Sequence, residues 1–506
     1  MKSTADVAVI GGGFAGLSLA LQIARRRSDL DVVVIDRKRR PAPERTWTVG
    51  ESFAELGSHY LRDVLGLRDH LEAEQLPKFG LRFFVGAQPD FADRFELGVL
   101  SPIICDVEDG QLLGLPLRTH QVDRARLENE MARRCEDAGV RLIEGTRVGR
   151  IDIDAAGHRV CLEGDEASEL RTRWIVWASG STLAGHGLGR RALGHATRAA
   201  WTRVEGELDV GAWSAAPAYA TQTLPGFRRL STNHLMGRGY WIWLIPLPSG
   251  VTSVGVVADP RLVEFQPRDY AEMLAWIAER DPRLAEELSA TRPVQGDFHV
   301  VDAEAWAVPE VFGDRRWAVV GQAAGFVDVL YSPGADLVAL GNTLLTDLIA
   351  NDVGTRGGAR GYAIANRIFQ GFVDGLAEIY SDQYGNFGTP EVVGTKMVWD
   401  SAVYFGFNTL LFRHGLSADA RFLSTIQPEL LTLRSLQRRV QGRLRRGEIQ
   451  PLLPGGDATV EWGSIDWLMD AYYGAEAQPD QNGVVAHLRG VLDALEGVAK
   501  RIEGVA

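Results

Sequence analysis

The chain has 506 residues, 45% of them hydrophobic and 24% charged, with a formal net charge of −12. Such a length exceeds what one hydrophobic core supports, so two or three lobes are expected in a globular protein, not a disordered or fibrous one. The acidic balance argues against non-specific nucleic-acid binding, and three cysteines (Cys105, Cys135, Cys161) without metal-ligand spacing imply no metal site and a reducing cytoplasm.

In chain order, residues 6–10 form an apolar run that ends at Gly11-Gly12-Gly13-Phe14-Ala15-Gly16. An apolar helix over residues 17–23 closes on Arg25, Arg26 and Arg27, and a second run, 32–35, ends at Asp36. This is a complete βαβ unit by periodicity and punctuation. No leader pattern precedes it and no apolar run reaches the ~18 residues of a membrane span, so a soluble cytoplasmic protein is expected. Lys78 precedes a strand over 81–85, a helix over 124–139 leads to a strand at 140–144, and residues 174–177 run into Ala178-Ser179-Gly180. Segment 219–256 reads as strands with hairpin turns. A strand at 317–320 enters a glycine turn, with a helix from about Asp336. Beyond 350 the pattern is helical with aromatic insertions at 403–412, and 451–457 is the clearest loop. The element order reads as a dinucleotide-binding domain over 1–200 and 290–350, interrupted by strands of a second lobe around 80–120. A sheet domain over 201–289 and a helical domain over 351–506 complete the expected organisation.

The first chemical motif is G-x-G-x-x-G at Gly11, Gly13 and Gly16, with Asp36 twenty residues further on. Gly11 permits the tight turn, Gly13 lets backbone approach a pyrophosphate, and Gly16 lets helix and strand pack closely. The helix N-terminus offers free N–H groups and about half a positive charge to the phosphates. Asp36, followed by Arg37, can accept hydrogen bonds from a ribose. The small-residue turn at Ala178–Gly180 and the Gly321-Gln322-Ala323-Ala324-Gly325 turn, in that order after the fingerprint, favour FAD over NAD. No second dinucleotide fingerprint is apparent, so no built-in nicotinamide site is expected.

Residues Trp241, Trp243, Ile245 and Pro246 spell W-x-W-x-I-P, and alternation puts both indoles on one face of a strand. In this motif the chain resembles the flavin-dependent halogenases. The resemblance extends to Val49-Gly50-Glu51-Ser52, to Gln121-Val122-Asp123-Arg124, and to Gly325-Phe326-Val327-Asp328 followed by Tyr331-Ser332-Pro333-Gly334. It covers roughly residues 5–345. It implies an α/β fold: an FAD-binding dinucleotide-fold lobe of the hydroxylase type, a mixed-sheet substrate lobe and a helical C-terminal lobe. It also implies FAD, working as FADH2, held by Gly11, Gly13, Phe14, Ala15, Gly16, Asp36, Arg37, Glu51, Ser52, Arg124, Ala178, Gly180, Gln322, Gly325 and Asp328. Chloride or bromide would sit at Ser332, Pro333 and Gly334. Lys78 would be the catalytic residue, hydrogen-bonding hypohalous acid or forming a haloamine beside the substrate ring.

Three departures shape the expected chemistry. Gln322 stands where many flavoproteins carry aspartate. Tyr331 replaces a glutamate of the tryptophan-type enzymes, which points to a phenolic or pyrrolic ring, free or presented by a carrier protein. Val329 and Pro333 alter the halide run, and proline has no N–H to donate to chloride. A monooxygenase of an aromatic or polyene substrate, or a non-catalytic flavin-binding relative, is therefore the alternative. Arg434, Arg438, Arg439, Arg443, Arg445 and Arg446 read either as a solvated helix face or as a docking face for an acidic partner. The aromatic residues at 404–412 read as pocket lining or as core.

Overall fold

A parallel strand inside a sheet has both faces covered, and Val32–Ile35, four branched apolar residues, is buried at every position. In the computed structural model this strand lies between Thr4–Ile10 and Arg141–Ile143 and runs parallel to both. The structure describes residues 3–505 except 45, 47, 100–105, 109–110, 114–117, 155, 164–167, 181–187, 207, 224–225, 353–358, 457 and 477–479. The chain divides into two units. Met1–Glu74, Val122–Leu193 and Ala305–Asp374 form the first; Gln75–Gln121, Gly194–Glu304 and Gly375–Ala506 form the second.

The first unit is built on a sheet in the order Arg147–Asp152, His158–Glu163, Ser168–Trp177, Thr4–Ile10, Val32–Ile35, Arg141–Ile143. Trp317–Val319 runs parallel to the end of Ser168–Trp177, with Trp177 opposite Val319. Helix Phe14–Arg26 leaves the first strand and packs on helices Arg124–Asp137 and Pro333–Asp352. The seam with the last of these is polar. Asn342 Nδ2 donates to Ser18 Oγ at 2.9 Å and to the Tyr60 hydroxyl at 3.1 Å, and that hydroxyl donates to Gln22 Oε1 at 2.7 Å. A buried network of this kind fixes one helix register, because any slip leaves donors unpaired.

The second unit has a mixed sheet whose strands follow the order Arg191–Glu205, Val251–Ala258, Tyr240–Pro246, Thr232–Gly237, Leu81–Val85, Phe95–Val99, Thr459–Glu461. Strand alternation sorts its side chains. Phe84, Leu235, Ile242, Leu244, Val254 and Val256 point to one face and meet Met273, Ile277, Leu284 and Leu288 of helices Tyr270–Ala278 and Pro282–Ser289. Each such side chain contributes ~1.5–3 kcal/mol on burial. Trp241, Trp243, Phe83 and His234 occupy the alternate positions. Charge is buried here too. Glu96 accepts from Arg228 Nε at 2.7 Å and from Arg228 Nη2 at 2.9 Å, and it also pairs with Arg82, whose Nη1 reaches Glu461 at 2.9 Å.

Three expectations are corrected. The strand region expected from residue 219 opens at Thr232. Before it, Pro217 starts helix Pro217–Thr221, and Gly226, with φ +81°, turns the chain into helix Phe227–Leu230. The helix expected near Asp336 begins at Pro333, since proline at the first helical position forfeits only an N–H that has no intrahelical partner. A separate helical lobe from residue 351 is not what the contacts give. Residues from Gly375 onward join the second sheet, because Thr459–Glu461 pairs in parallel with Phe95–Val99 and Glu461 supplies a countercharge to Arg82. The aromatic stretch after helix Pro390–Val403 packs inward: Phe405 lies 5.6 Å from Trp462 and 5.1 Å from Tyr472. Among the described residues no helix is long and apolar enough to cross a membrane, and no group of three or more His, Cys, Asp or Glu could hold a metal ion.

Candidate active site

In the first unit the glycine fingerprint forms a cradle that tolerates no added atoms on its protein side. Gly11 has φ +108°, donates its N–H to Ile35 O at 2.8 Å, and would place a Cβ 2.7 Å from Ala178 O. A Cβ on Gly16 would lie 1.9 Å from Gly11 O, and one on Gly321, whose φ is +63°, 2.7 Å from the Ala15 methyl. On the other side there is room. Their chain neighbours apart, no described residue comes within 4 Å of a Cβ built at Gly13 or Gly180. Gly13 is the N-cap of helix Phe14–Arg26 and no side chain caps it, so first-turn amides are left for an anion. These features fit a dinucleotide pyrophosphate. Gly16→Ala forces backbone to move and is expected to cost about 1–3 kcal/mol. Urea unfolding and flavin fluorescence titration should show lower stability and weaker FAD uptake together.

Asp36 is already engaged with backbone: Oδ2 accepts from Gly12 N at 2.9 Å and Oδ1 from Lys38 N at 3.0 Å. Arg37 is exposed. The residue that sequence reasoning missed is Arg40, four positions past Asp36. Its guanidinium donates to Gly12 O and lies 3.9 Å from Asp36, so it fixes the loop to the acid. The signal available was the acid–arginine spacing after the second strand.

A corner of the same unit gathers Phe14, Glu51, Ser52 and Arg124. Glu51 and Ser52 are buried, and Glu51 O accepts from Val122 N at 2.7 Å. Arg124 Nη1 donates to Val49 O at 3.0 Å, Nη2 donates to Glu128 at 2.6 Å, and the guanidinium carbon stands 5.2 Å from the Phe14 ring. Phe14 in turn meets Phe53 edge-on at 5.3 Å. Ala178 N donates to Ile10 O at 2.8 Å.

The turn after Trp317–Val319 leaves Gln322 exposed and folds Asp328 back on itself, its Oδ1 accepting from Val329 N at 2.6 Å and Leu330 N at 2.8 Å. A Cβ on Gly325 would lie 2.7 Å from Trp306 O. Tyr331 and Ser332 both sit in the left-handed region, with φ +66° and +62°. That conformation is uncommon for residues with a Cβ, and two in succession mark stored strain. Ser332 N donates to Val329 O at 3.1 Å, Pro333 has no N–H, and Gly334 has open space beside it.

In the second unit Lys78 ends the short strand Leu76–Lys78, opposite Thr119, and is only 3% exposed. Its backbone is strapped on both sides. Thr119 Oγ1 donates to Lys78 O at 3.1 Å, Phe79 N to Leu230 O at 3.1 Å, Ser231 Oγ to Phe79 O at 2.9 Å, and Thr232 N to Gly80 O at 3.0 Å. His234 is a second neighbour that sequence reasoning missed. Its ring stacks on Phe83 at 4.6 Å and tilts against Trp241 at 5.3 Å, with Nδ1 3.2 Å from Arg82 O. Burial pushes its pKa down to about 3, and the nearby Lys78 charge acts in the same direction, so the imidazole is neutral at working pH. Trp241 and Trp243 share a face as expected, and each indole N–H is satisfied, by the Tyr384 hydroxyl at 2.9 Å and Ser253 Oγ at 3.1 Å. Ile245 and Pro246 complete that strand and are buried.

Comparisons with known proteins agree with this geometry. Residues 6–339 match the profile of the family described as FAD dependent oxidoreductase. The chain is 23% identical over 438 residues to the flavin-dependent halogenase chlA of Dictyostelium discoideum, covering 79% of this chain and 69% of that protein. It is 23% identical over 346 residues to a 1H-pyrrole-2-carbonyl-[peptidyl-carrier protein] chlorinase of Pseudomonas fluorescens, covering 66% and 72% respectively. Among solved structures, that of halogenase PltM in complex with phloroglucinol and FAD has the same fold. The TM-score is 0.66 at 18% identity, over 98% of this chain and 96% of that one.

Proposed function

The chain belongs to the FAD-dependent oxidoreductase family, and within it to the flavin-dependent halogenases; on that premise we propose that it halogenates an electron-rich phenolic or pyrrolic ring, using FADH2, oxygen, and chloride or bromide, with Lys78 as the catalytic residue. The observation that carries the proposal is the burial of Lys78, only 3% exposed, at the position where the resemblance puts the catalytic lysine. A separate NAD(P)H-dependent reductase would supply the reduced flavin. The ring would arrive free or, as the name of the pyrrole chlorinase says of that relative, on a peptidyl carrier protein.

Each residue has a role in this reading. Gly11, Gly13, Phe14, Ala15 and Gly16 would present backbone to the pyrophosphate, with Asp36 and Arg37 toward the ribose. Glu51, Ser52, Arg124, Ala178, Gly180, Gln322, Gly325 and Asp328 would line the rest of the FAD. When bound, reduced FAD supplies, with oxygen and halide, the electrophilic halogen as hypohalous acid. Lys78 Nζ would donate a hydrogen bond that polarises the leaving hydroxyl, a contribution of roughly 10²–10⁴ in rate. Neutral His234 would pack against the lysine without repelling it. At the halide run, the Ser332 amide is already engaged and Pro333 has none. The Ser332 hydroxyl and Gly334 N–H would then be the donors to the ion.

Halide dependence tests the reading directly. The purified protein, with FAD, a flavin reductase, NADH and bromide, is offered phenolic and pyrrolic acceptors, and products are read by mass. A brominated product that vanishes when bromide is withheld is expected. Oxygen insertion indifferent to bromide would replace this reading with a hydroxylase, consistent with the altered run at Val329 and Pro333. Absence of any turnover would leave a flavin-binding protein without catalysis.

A further inference from the structure

Helix Gln427–Arg446 has a buried face carrying Leu436, Val440 and Leu444. On its outer face Leu431, Arg434, Ser435, Arg438 and Arg439 recur at three- and four-residue spacing and line a surface groove of about 430 Å³. Leu431 is 60% exposed, so its apolar surface is left without cover by folding. Several arginines of this helix are neutralised locally. Arg439 lies 2.9 Å from Glu503, Arg445 2.7 Å from Glu378, and Arg446 2.8 Å from Glu448. Arg434 and Arg438 are exposed on the groove, and Arg438 makes no ion pair among the described residues. A cationic strip with a leucine at one end therefore stands out on a chain whose net charge is −12.

We propose that this face docks an acidic carrier protein that presents the aromatic ring as a thioester, an inference that rests on the halogenase reading. Charge complementarity selects the site. A net charge of −12 repels an acidic partner from the chain as a whole, while exposed Arg438, with exposed Arg434 one turn away, favours one here. Leu431 gives the contact an apolar anchor. A membrane surface fits less well, because an amphipathic helix lying in a bilayer needs a whole apolar face and this one offers a single leucine.

The test measures binding without turnover. A fluorescently labelled peptidyl carrier protein loaded with pyrrole-2-carbonyl is titrated with the FAD-loaded full chain, and anisotropy is read. Binding should weaken as salt rises from about 50 to about 300 mM, since exposed charge pairs are screened. Arg434→Glu with Arg438→Glu should weaken it at least tenfold, and Leu431→Ser several-fold, with turnover of a free phenol unchanged. Equal binding by the double variant, no binding by the parent chain, or a loss seen only with phosphatidylglycerol vesicles would overturn the proposal. Failure of halogenation is read in a separate assay, so the two readings fall independently.

Discussion

Alanine at Lys78 is expected to lower kcat/KM for ring bromination by about 10²–10⁴, while FAD uptake and oxygen consumption persist. The strand carrying Lys78 is held through main-chain groups by Thr119, Leu230, Ser231 and Thr232, so removing the side chain leaves the backbone anchored. Lys78→Met keeps most of the buried volume and removes only the ammonium, which separates chemistry from packing. Both variants should lose bromination alike, and near-ultraviolet circular dichroism should match the parent. Lys78→Arg keeps the charge but changes its shape and forbids a haloamine, so it should not restore the rate. Retention of more than a tenth of the activity by Lys78→Met would remove the lysine from the mechanism. A hydroxylase passing oxygen directly to the ring would show that result.

Glu96→Ala should be the most destabilising single change in the second unit, at about 3–5 kcal/mol. Glu96 is fully buried and holds two guanidiniums, those of Arg82 and Arg228, which are themselves buried. Removing it strands two positive charges, with Glu461 left as a partner to one of them. Glu96→Gln keeps the shape and still loses the countercharge, so it should fall close to alanine. By comparison, Arg133→Ala removes exposed pairs with Glu130 and Asp137 and should change little. Urea titration of the three variants against the parent chain ranks them. A Glu96→Ala loss no larger than that of Arg133→Ala would mean that water or rearrangement relieves the two arginines.

Legibility followed sequence distance. The fingerprint, Asp36 and the strand Val32–Ile35 were readable because each depends on a local rule: a positive φ at Gly11, close approach at Gly16, or a short apolar run. The W-x-W-x-I-P strand was readable as a strand for the same reason. His234 was not, since its neighbours Phe83, Arg82 and Lys78 come from other strands and only the folded sheet brings them together. Arg40 lay within reach of a local argument but had no motif to mark it. The lobe division failed where a long-range strand intervened. Nothing in Thr459–Glu461 advertises that it will pair with Phe95–Val99. The helices at 217–221 and 227–230 were read as strands because their few residues are too short for any period to assert itself.

The arrival of Glu461 beside Arg82, 379 positions away, also limits how this protein can be recombined. A tail exchanged with a relative would have to bring both a pairing edge and an acid of the right reach. Otherwise the sheet neighbouring Lys78 would inherit an unbalanced charge. The C-terminal segment is thus not an interchangeable appendage, and its divergence must keep step with strands laid down in the first hundred residues.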